Sequence, residues 1–313
     1  GDRPHFNPIF RNCRSSSNWF TLADIAKAAT TGPVDLKKLD PDFACVSFYK
    51  LFGQPTGLGA LFVRRTAVST LITNTSKRPY FGGGSMDAIL PRPDFAIPRN
   101  QPNALASLLN GTVHFRGIAS LLHGFDELRN LGGMTNIQKH TRVLTEYLLD
   151  RLHAMRHHNR KRVVEIYSNY SNRQAAGSIV SFNIVRDDRS YVGYNEVSKL
   201  AELNRPPIQM RTGCFCNPGA CQLAVGLSDD EVQRNHYTSG HVCGDHIDII
   251  NKKPTGAIRV SIGKETIWED LDCFLRYLER SFVSKVKSER SVHPNSKIST
   301  PSIEVTVSEL YIF

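Results

Sequence analysis

Apolar and polar residues follow a strand-like pattern in the first part of the chain. A short strand is predicted around Trp19 to Ala23, and a second over the alternating run from Phe43 to Phe48. Lys50 comes directly after this run. The glycine- and proline-rich residues 53–59 then predict a turn before a third apolar strand, Ala60 to Val63. These residues predict a compact unit of strand, lysine, turn and strand.

Beyond residue 111 the hydrophobic period lengthens to three or four residues, which is the period of an amphipathic helix. The predicted order is then helix, helix, strand, strand, helix, helix. These elements are predicted at residues 113–130, 134–155, 163–167, 179–185, 196–203 and 269–282. The chain is therefore expected to be an α/β protein, with a second α/β lobe that begins near residue 133.

Composition agrees with a folded protein. Of the 313 residues, 40% are hydrophobic and 22% are charged, close to the average of globular proteins. No stretch approaches the roughly 20 apolar residues that a membrane-spanning helix requires, so no membrane partner is expected. The first residues show neither the charged nor the apolar part of a secretory signal, and we expect a cytoplasmic protein.

The large positive net charge does not by itself identify a binding partner. The chain has 39 Lys and Arg against 29 Asp and Glu, a formal charge of +10, and such an excess attracts anions of many kinds. The basic residues are scattered, however, and their two modest clusters at 156–162 and 285–290 contain no interleaved aromatic rings. We therefore expect no nucleic-acid partner.

Cysteines are the first candidates for chemistry. Their odd number does not suit the disulfide framework of a secreted domain, and clustered thiols in a reducing compartment favour metal binding or catalysis. The seven are Cys13, Cys45, Cys214, Cys216, Cys221, Cys243 and Cys273. Three of them fall in the segment RTGCFCNPGAC, residues 211–221, whose Gly and Pro residues predict a mobile loop. Arg211 would favour a thiolate on such a loop, and a thiolate is a nucleophile.

A zinc site is the competing interpretation of the same cysteines. It would combine them with two later histidines and one later cysteine: His236, His241 and Cys243. Structural zinc prefers paired C-x₂₋₄-C knuckles, whereas the spacing here is C-x-C-x₄-C. The spacing therefore favours no resident metal, and His241 and Cys243 would only border the site.

Lys50 is a second candidate. It follows a buried-looking strand and precedes glycines that permit close backbone approach, an arrangement suited to an amine that loses solvent and forms a Schiff base. Asp24 lies on the preceding strand, where a carboxylate can keep a pyridinium nitrogen protonated, as pyridoxal phosphate requires. The alternatives are a surface lysine and a helix N-cap at Asp24.

Arg259 is a third candidate, because residues 255–263 predict a strand that presents one arginine between apolar neighbours. Such an arginine can bind a carboxylate with its planar fork. The alternative is an arginine on an edge strand that is simply solvated. Sequence alone favours neither.

Taken together, these segments resemble a known family. DFACVSFYKLFGQPTGLGAL, residues 42–61, resembles the Schiff-base strand of the class V aminotransferase and cysteine desulfurase family, with Tyr49 where most members carry His. SFYK with FGxPTGLGAL, FGGGS, RTGCFCNPGAC and GHVCGD is, more narrowly, similar to the eukaryotic molybdenum cofactor sulfurases. The resemblance implies pyridoxal-phosphate-dependent transferase fold type I, here the second half of the large domain plus the small C-terminal α/β lobe.

The resemblance also implies roles for individual residues. Lys50 would bind pyridoxal 5′-phosphate, Asp24 would contact its pyridinium nitrogen, and Ser47 its phosphate. Cys216 rather than Cys214 would accept sulfur, since the family's cysteine follows arginine in an R-x-G-x-x-C loop, and Arg259 would bind the substrate carboxylate. In such dimers, loops containing Gly83, Gly84 and Thr112 can reach the cofactor phosphate of the partner.

The activity that the resemblance implies is a sulfur transfer. L-cysteine would lose its sulfur to Cys216, leaving L-alanine and a Cys216 persulfide. This sulfur would pass to the molybdenum cofactor, whose recipient enzymes resemble xanthine dehydrogenase and aldehyde oxidase. The open alternatives are another cysteine desulfurase, a zinc-binding Cys/His interaction module, and a non-catalytic fragment.

The expected organisation follows from this resemblance. Residues 1–132 would be the second half of the cofactor-binding domain and 133–283 the small lobe with the cysteine loop. Residues 284–301 have a linker composition, and 302–313 resemble the first strand of a truncated β-barrel domain. Lys27 departs from the family, because several desulfurases carry a glutamine there. A homodimer is expected, and the fragment is expected to lack part of the cofactor site.

Overall fold

A computed structural model describes residues 19–73, 84, 86–92, 94–98, 109, 111–167 and 177–284. Three sequence predictions lie outside these residues: the role of Gly83, the linker beyond Ser284, and the strand of the truncated third domain. Cys13 also lies outside them.

Strands account for much of the regular structure of both halves of the chain. Their bounds are β1 Leu22–Asp24, β2 Phe43–Ser47, β3 Gly59–Val63, β4 Met86–Ile89, β5 Ala96–Pro98, β6 Val164–Ile166, β7 Ile179–Ile184, β8 Arg211–Gly213, β9 Ile249–Ile250, β10 Lys253–Pro254 and β11 Ala257–Ser261. The strand predicted around residues 19–23 therefore begins later than expected and extends to Asp24.

The described helices include the four that the sequence predicted and five that it did not. Their bounds are α1 Leu36–Leu39, α2 Phe48–Phe52, α3 Val68–Thr73, α4 Phe115–Asn130, α5 Gly133–Ala154, α6 Tyr194–Glu202, α7 Pro218–Val225, α8 Asp229–Ser239 and α9 Trp268–Phe282. Within the described part of the chain, no helix is both long and apolar enough to cross a bilayer.

The N-terminal region, the described residues between 19 and 132, contains a three-stranded sheet with β2 at its centre. β1 is parallel to β2, and β3 is antiparallel to it. The carboxyl ends of parallel strands meet at one edge of a sheet, which is where ligands bind in α/β folds. Asp24 ends β1 and Ser47 ends β2, so both lie at this edge.

The helices of the N-terminal region pack through aromatic residues. Phe52 on α2 meets Phe125 on α4 edge to face, with ring centroids 5.1 Å apart. Phe48 lies 5.7 Å from Phe52 and is buried with it in a small core of eight residues. This packing fixes α2, and with it Lys50, against the sheet.

The C-terminal lobe, the described residues between 133 and 284, contains an antiparallel sheet in the order β6-β7-β11-β8. Helices α5, α6 and α9 share with this sheet a core of 21 buried residues, among which Leu148, Phe182 and Leu278 are completely buried. In this core, every second side chain of the strands packs against the side chains that the helices present on one face every three to four residues. The predicted second α/β lobe is present.

Candidate active site

A cleft of about 1150 Å³ is lined by both the N-terminal region and the C-terminal lobe. Its N-terminal lining includes Asp24 and Lys50, and its C-terminal lining includes Arg211, Cys214 and Arg259. Its volume exceeds the roughly 300–1,000 Å³ of most ligand pockets, which leaves room for a cofactor together with a small substrate. Residues that are far apart in the sequence therefore meet here.

Lys50 lies on the short helix α2, directly after β2, and its side chain is exposed at the cleft. The expectation that its amine loses solvent was wrong in this structure. α2 begins straight after Ser47, so Lys50 is carried out of the sheet onto an exposed turn of helix. Its ammonium lies 5.7 Å from the ring centroid of Tyr49, the residue that stands where most of the family has histidine.

Asp24 is exposed at the end of β1 and lines the same cleft. Its Oδ1 accepts a hydrogen bond of 2.9 Å from the backbone N–H of Ala26, which forms an Asx turn. The helical turn that follows has Lys27 rather than Asp24 as its N-cap. The helix-cap alternative for Asp24 is therefore wrong, and its carboxylate faces the cleft.

The other predicted cofactor contacts are not among the residues that line the cleft. Ser47 is half-buried at the start of α2, where its hydroxyl makes no capping hydrogen bond. Gly84 and Thr112 are both exposed, and Gly84 has a φ of +79°. Their assigned roles stay predictions.

Arg259 and Arg211 form a pair of like charges on adjacent strands. β11 lies between β7 and β8, and its Arg259 is directly opposite Arg211 of β8. The edge-strand alternative for Arg259 is therefore wrong. Like charges in this position destabilise a sheet, and burial together with Arg211 lowers the pKa of Arg259. The buried Nε of Arg259 has no hydrogen-bond partner among the described residues, so the guanidinium can still donate hydrogen bonds to an anion.

Lys27 adds a third cation to the cleft. Its Nζ donates hydrogen bonds to Oγ1 of Thr30 at 3.0 Å and to Oγ of Ser178 at 3.3 Å. Burial, and then the charge of Arg259, lower the pKa of this lysine. Thr30 and Ser178 lie in different regions of the molecule, so Lys27 connects the two walls of the cleft where several desulfurases carry glutamine.

The cysteine-rich segment has more regular structure than the predicted mobile loop. β8 ends at Gly213, and the backbone N–H of Asn217 donates a 2.9 Å hydrogen bond to the carbonyl of Cys214, which closes a β-turn. Asn217 then caps α7, with Pro218 in its first turn. Asn before Pro is a helix-start signal that was visible in the sequence. We call residues 214–217 the cysteine turn.

The two central residues of the cysteine turn point to different environments. Phe215 is half-buried and lines the cleft, while Cys216 is exposed and is not among the lining residues. Nη2 of Arg211 lies 3.5 Å from Sγ of Cys216 and donates to it. A guanidinium at a sulfur favours the thiolate, so Cys216 has the surroundings of a nucleophile.

Cys214 and Cys221 form a second pair of thiols in the cleft. A hydrogen bond between the two thiols lowers the pKa of Cys214 to about 7 and, with burial, raises the pKa of Cys221. Sγ of Cys214 itself donates a hydrogen bond of 3.6 Å to the carbonyl of Thr255. Because a pKa of about 7 leaves a large thiolate fraction at neutral pH, Cys214 is also a chemically competent thiol.

No metal site is formed by the described part of the chain, where no three His, Cys, Asp or Glu side chains are grouped to hold an ion. His241 instead pairs with Asp245, with 2.9 Å between Nδ1 and Oδ2. Cys243 is exposed near this pair. The described structure therefore does not bring the residues of the zinc interpretation together as a group of three or more ligands.

The sequence left two features of the cleft unpredicted. The pairing of Arg211 with Arg259 depends on strand register, which no local pattern encodes. The type of residue 215 predicts no function, because aromatic residues are usually core residues, yet Cζ of Arg259 lies 5.3 Å from the centroid of the Phe215 ring. Its position between two cysteines was the only available signal.

Comparisons with known proteins place this chain in a family. The family profile described as Aminotransferase class-V matches residues 1–274. The molybdenum cofactor sulfurase of Homo sapiens is 43% identical over 263 residues, which are 83% of this chain and 28% of that protein. That of Danio rerio is 38% identical over 96% of this chain and 37% of its own length. The chain thus spans about a third of these relatives.

Solved structures share the fold at low sequence identity. The apo cysteine desulfurase of Thermococcus onnurineus NA1 has a TM-score of 0.63 and 19% identity over 88% of this chain and 55% of its own. A C-DES variant with glycine covalently linked to its PLP cofactor has a TM-score of 0.58 and 17% identity, covering 89% and 56%. The fold is therefore that of the type I PLP-dependent enzymes.

Proposed function

The chain belongs to the class V aminotransferase family, and from this premise we propose that it is part of a pyridoxal-phosphate-dependent cysteine desulfurase that supplies sulfur to the molybdenum cofactor. The observation that carries the proposal is the single cleft lined by Lys50, Asp24 and Arg259 beside the cysteine turn. The sulfurases of human and zebrafish support the choice of sulfur acceptor. The protein would act in the cytoplasm, where its thiols stay reduced.

The residues of the cleft fit the cofactor at two of its ends. Lys50 offers an exposed amine for the aldehyde carbon, and Asp24 offers a carboxylate for the ring nitrogen. The hydroxyl of Ser47, which makes no capping bond, would contact the phosphate. When bound, pyridoxal phosphate supplies an electron sink for an amino acid substrate. Gly83, Gly84 and Thr112 would contact the cofactor phosphate of the second subunit in a homodimer.

Arg259 would bind the substrate. Its buried Nε, which has no partner among the described residues, and its guanidinium fork match the two oxygens of a carboxylate. Arg211 on the neighbouring strand and Lys27 from the other wall raise the positive potential at this position. A carboxylate bound here would relieve the repulsion between the cations, which favours an anionic substrate such as L-cysteine.

Lys50 and Cys216 would share the chemistry. The amine of Lys50, once released from the cofactor, would take the α-proton of L-cysteine and return a proton to the product. The thiolate of Cys216, stabilised by Arg211, would attack the sulfur of the substrate. The Cβ–S bond of L-cysteine breaks as the S–S bond forms, leaving L-alanine and a Cys216 persulfide. The persulfide would then be the sulfur source for the molybdenum cofactor: a second thiol attacks the inner sulfur, a disulfide forms, and the sulfide released replaces an oxo ligand that leaves as water.

The test of this proposal is substitution of Lys50 in the full-length protein that contains this chain. We expect Lys50→Ala to abolish the absorbance near ~410–430 nm that a lysine Schiff base with pyridoxal phosphate gives, and to lower alanine production by at least ~10³-fold. Lys37→Ala, an exposed lysine on α1, is the matched control and should keep both. A Lys50→Ala protein that retains the band and the activity would refute the proposal.

Cys216→Ala tests the role of the acceptor separately. It should keep the absorbance band, because Cys216 does not line the cleft, and yet form no persulfide from L-cysteine. Persulfide mapping by mass spectrometry gives the result directly. Unchanged persulfide formation would move the acceptor role to Cys214 or Cys221, the two thiols that line the cleft.

A further inference from the structure

Phe215 connects the two groups that the proposed reaction must bring together. We propose that Phe215 is a positioning residue, whose ring on Arg259 orients the carboxylate-binding fork and holds the cysteine turn that presents Cys216. The inference rests on the proposed desulfurase activity only for the identity of the carboxylate. The sequence, the family match and the comparisons assign no role to this phenylalanine.

The backbone of the cysteine turn is strained, and this strain requires an explanation. Phe215 and Cys216 have φ values of +57° and +59°, in the left-handed region that bulky residues rarely adopt. Positive φ at both central residues is the geometry of a type I′ turn, which favours Asn-Gly. Strained residues persist only where surrounding contacts hold them, and they cluster at functional sites.

The contact that holds this turn on the cleft side is the stacking on Arg259. Cζ of Arg259 lies 5.3 Å from the centroid of the Phe215 ring, within the range of a cation–π interaction. Cζ of Arg259 lies over the face of the ring, whereas a carboxylate binds a guanidinium at its edge. The contact therefore restricts the position of the guanidinium without using the N–H donors that a carboxylate needs.

The charge distribution makes Arg259 dependent on this ring. Its neighbours on the cleft side are Arg211, directly opposite on β8, and Lys27, whose pKa is lowered by burial and by Arg259 itself. Repulsion from both would turn the guanidinium toward solvent. The electron-rich face of Phe215 opposes this movement, because it attracts a cation without adding a negative charge that would compete with a substrate.

The position of Cys216, on the exposed side of the cysteine turn, depends on the same contact between Phe215 and Arg259. While Phe215 is anchored in the cleft, Cys216 stays within 3.5 Å of Nη2 of Arg211, which favours its thiolate. If the ring were removed, the turn could relax toward negative φ and separate Cys216 from Arg211. Orientation of the substrate carboxylate and activation of the sulfur acceptor are thus coupled through one side chain.

The experiment compares Phe215→Leu with Phe215→Tyr in the full-length holoenzyme. Phe215→Leu removes the ring, and we expect it to raise the KM for L-cysteine about three- to tenfold and to lower kcat by no more than about threefold, because less Cys216 thiolate is present. Phe215→Tyr keeps an aromatic face and should restore the wild-type KM. Tyr237→Leu, an exposed aromatic residue on α8 outside the cleft, is the matched control and should change nothing.

A second measurement does not depend on turnover. The rate at which iodoacetamide alkylates Cys216 at pH 7, followed by mass spectrometry, should fall about threefold in Phe215→Leu because less thiolate is present. Binding of L-alanine, which carries the carboxylate without the sulfur, should weaken by the same factor as the KM rises. In an Arg259→Gln background, where the cation is absent, Phe215→Leu should weaken alanine binding less than twofold further.

The outcomes separate this inference from the proposed function. If KM, alanine binding and alkylation of Phe215→Leu all stay within twofold of wild type, or if kcat falls with KM unchanged, the positioning role is wrong. Phe215→Met, of similar volume, gives the same test should the leucine variant fail to fold. If the wild-type protein makes no alanine from L-cysteine, the proposed function fails, and alanine binding and alkylation still decide the role of Phe215.

Discussion

The two regions of the molecule bury their apolar side chains to very different extents. The C-terminal lobe has one core of 21 buried residues, whereas the N-terminal region has a core of eight that includes Ile137 of α5. Large apolar side chains such as Trp19, Leu22, Phe115 and Leu122 are more than half exposed in the N-terminal region. The lobe also exposes apolar side chains such as Leu203 and Leu223, but it buries far more of them in one core than the described part of the N-terminal region does.

The two regions also supply different parts of the candidate active site. The lobe supplies the arginine pair and the cysteine turn from strands and helices that rest on a closed core. The N-terminal region supplies Lys50 and Asp24 from a sheet whose apolar surroundings remain exposed among the described residues. The proposed reaction needs residues of both regions. The rigid lobe would hold the substrate and the sulfur acceptor in place. The positions of Lys50 and Asp24 would depend on whatever buries the exposed apolar surface of the N-terminal region.

The largest expected effect is on the stability of the lobe. Leu148 is completely buried on α5, so Leu148→Ala leaves a cavity and should lower the free energy of unfolding by about 3 to 4 kcal/mol. Leu122 on α4 is 63% exposed, and Leu122→Ala should cost less than about 1 kcal/mol. Urea unfolding of the full-length protein measures both. Equal losses would show that α4 is covered after all and would break the comparison.

An intermediate effect concerns the thiols of the lobe. The hydrogen bond between Cys214 and Cys221 lowers the pKa of Cys214 to about 7, so the alkylation rate of Cys214 should rise with pH through about 7. Cys221→Ala removes this hydrogen bond, and the midpoint should move upward toward that of an ordinary thiol. At pH 7 the variant should react several-fold more slowly because less thiolate is present.

The background for that measurement is Cys216→Ser, which removes the exposed thiol in the same peptide. Cys273→Ala, a thiol on α9 that does not line the cleft, is the control and should leave the midpoint unchanged. A midpoint that stays near 7 in Cys221→Ala would show that another group activates Cys214.

The smallest expected effect concerns the contact between the regions. Lys264 of the lobe bonds to the carboxylates of Glu127 on α4 and of Glu265. Burial lowers the pKa of Lys264, and these two carboxylates raise it by more. Glu127 is 43% exposed, so Glu127→Gln should cost less than about 1 kcal/mol of unfolding free energy.

Glu279→Gln is the control for this pair, because it removes an exposed ion pair between Arg151 and Glu279 that lies wholly within the lobe. Similar small losses in both variants would confirm that the regions are held together weakly by charge. A loss above about 2 kcal/mol for Glu127→Gln alone would mean that the regions depend on this contact for their stability.

The local hydrophobic pattern predicted where the longer helices and the main strands lie, but it did not predict whether their apolar faces are buried. The helices predicted at 113–130 and 134–155 are present as α4 and α5, and the strand predicted over 179–185 is present as β7. The same period that correctly marks an apolar face on α4 gave no warning that Ile118, Leu122 and Phe125 would be exposed. Periodicity defines a face, and only neighbouring elements decide whether that face is buried.

The candidate site was predictable as a set of residues and unpredictable as a geometry. Lys50, Asp24, Cys216 and Arg259 were identified from their sequence context, and three of them line the cleft. The exposure of Lys50 was missed because a strand pattern does not show that a helix begins at Phe48. The cysteine turn places Phe215 at the cleft and Cys216 at the surface. The sequence predicts a mobile loop here instead, because Phe and Cys are not the residues that a type I′ turn favours.

The sequence by itself determined the alternation of strands and helices, the family and the residue types that the chemistry needs, because these depend on neighbours within a few positions. The tertiary structure alone decided the pairing of Arg211 with Arg259, the stacking of Phe215 and the meeting of Lys50 with the lobe. Each of these depends on strand register or on packing between residues far apart in the chain. Such contacts are selected by the burial and charge balance of the whole fold, which no local pattern contains.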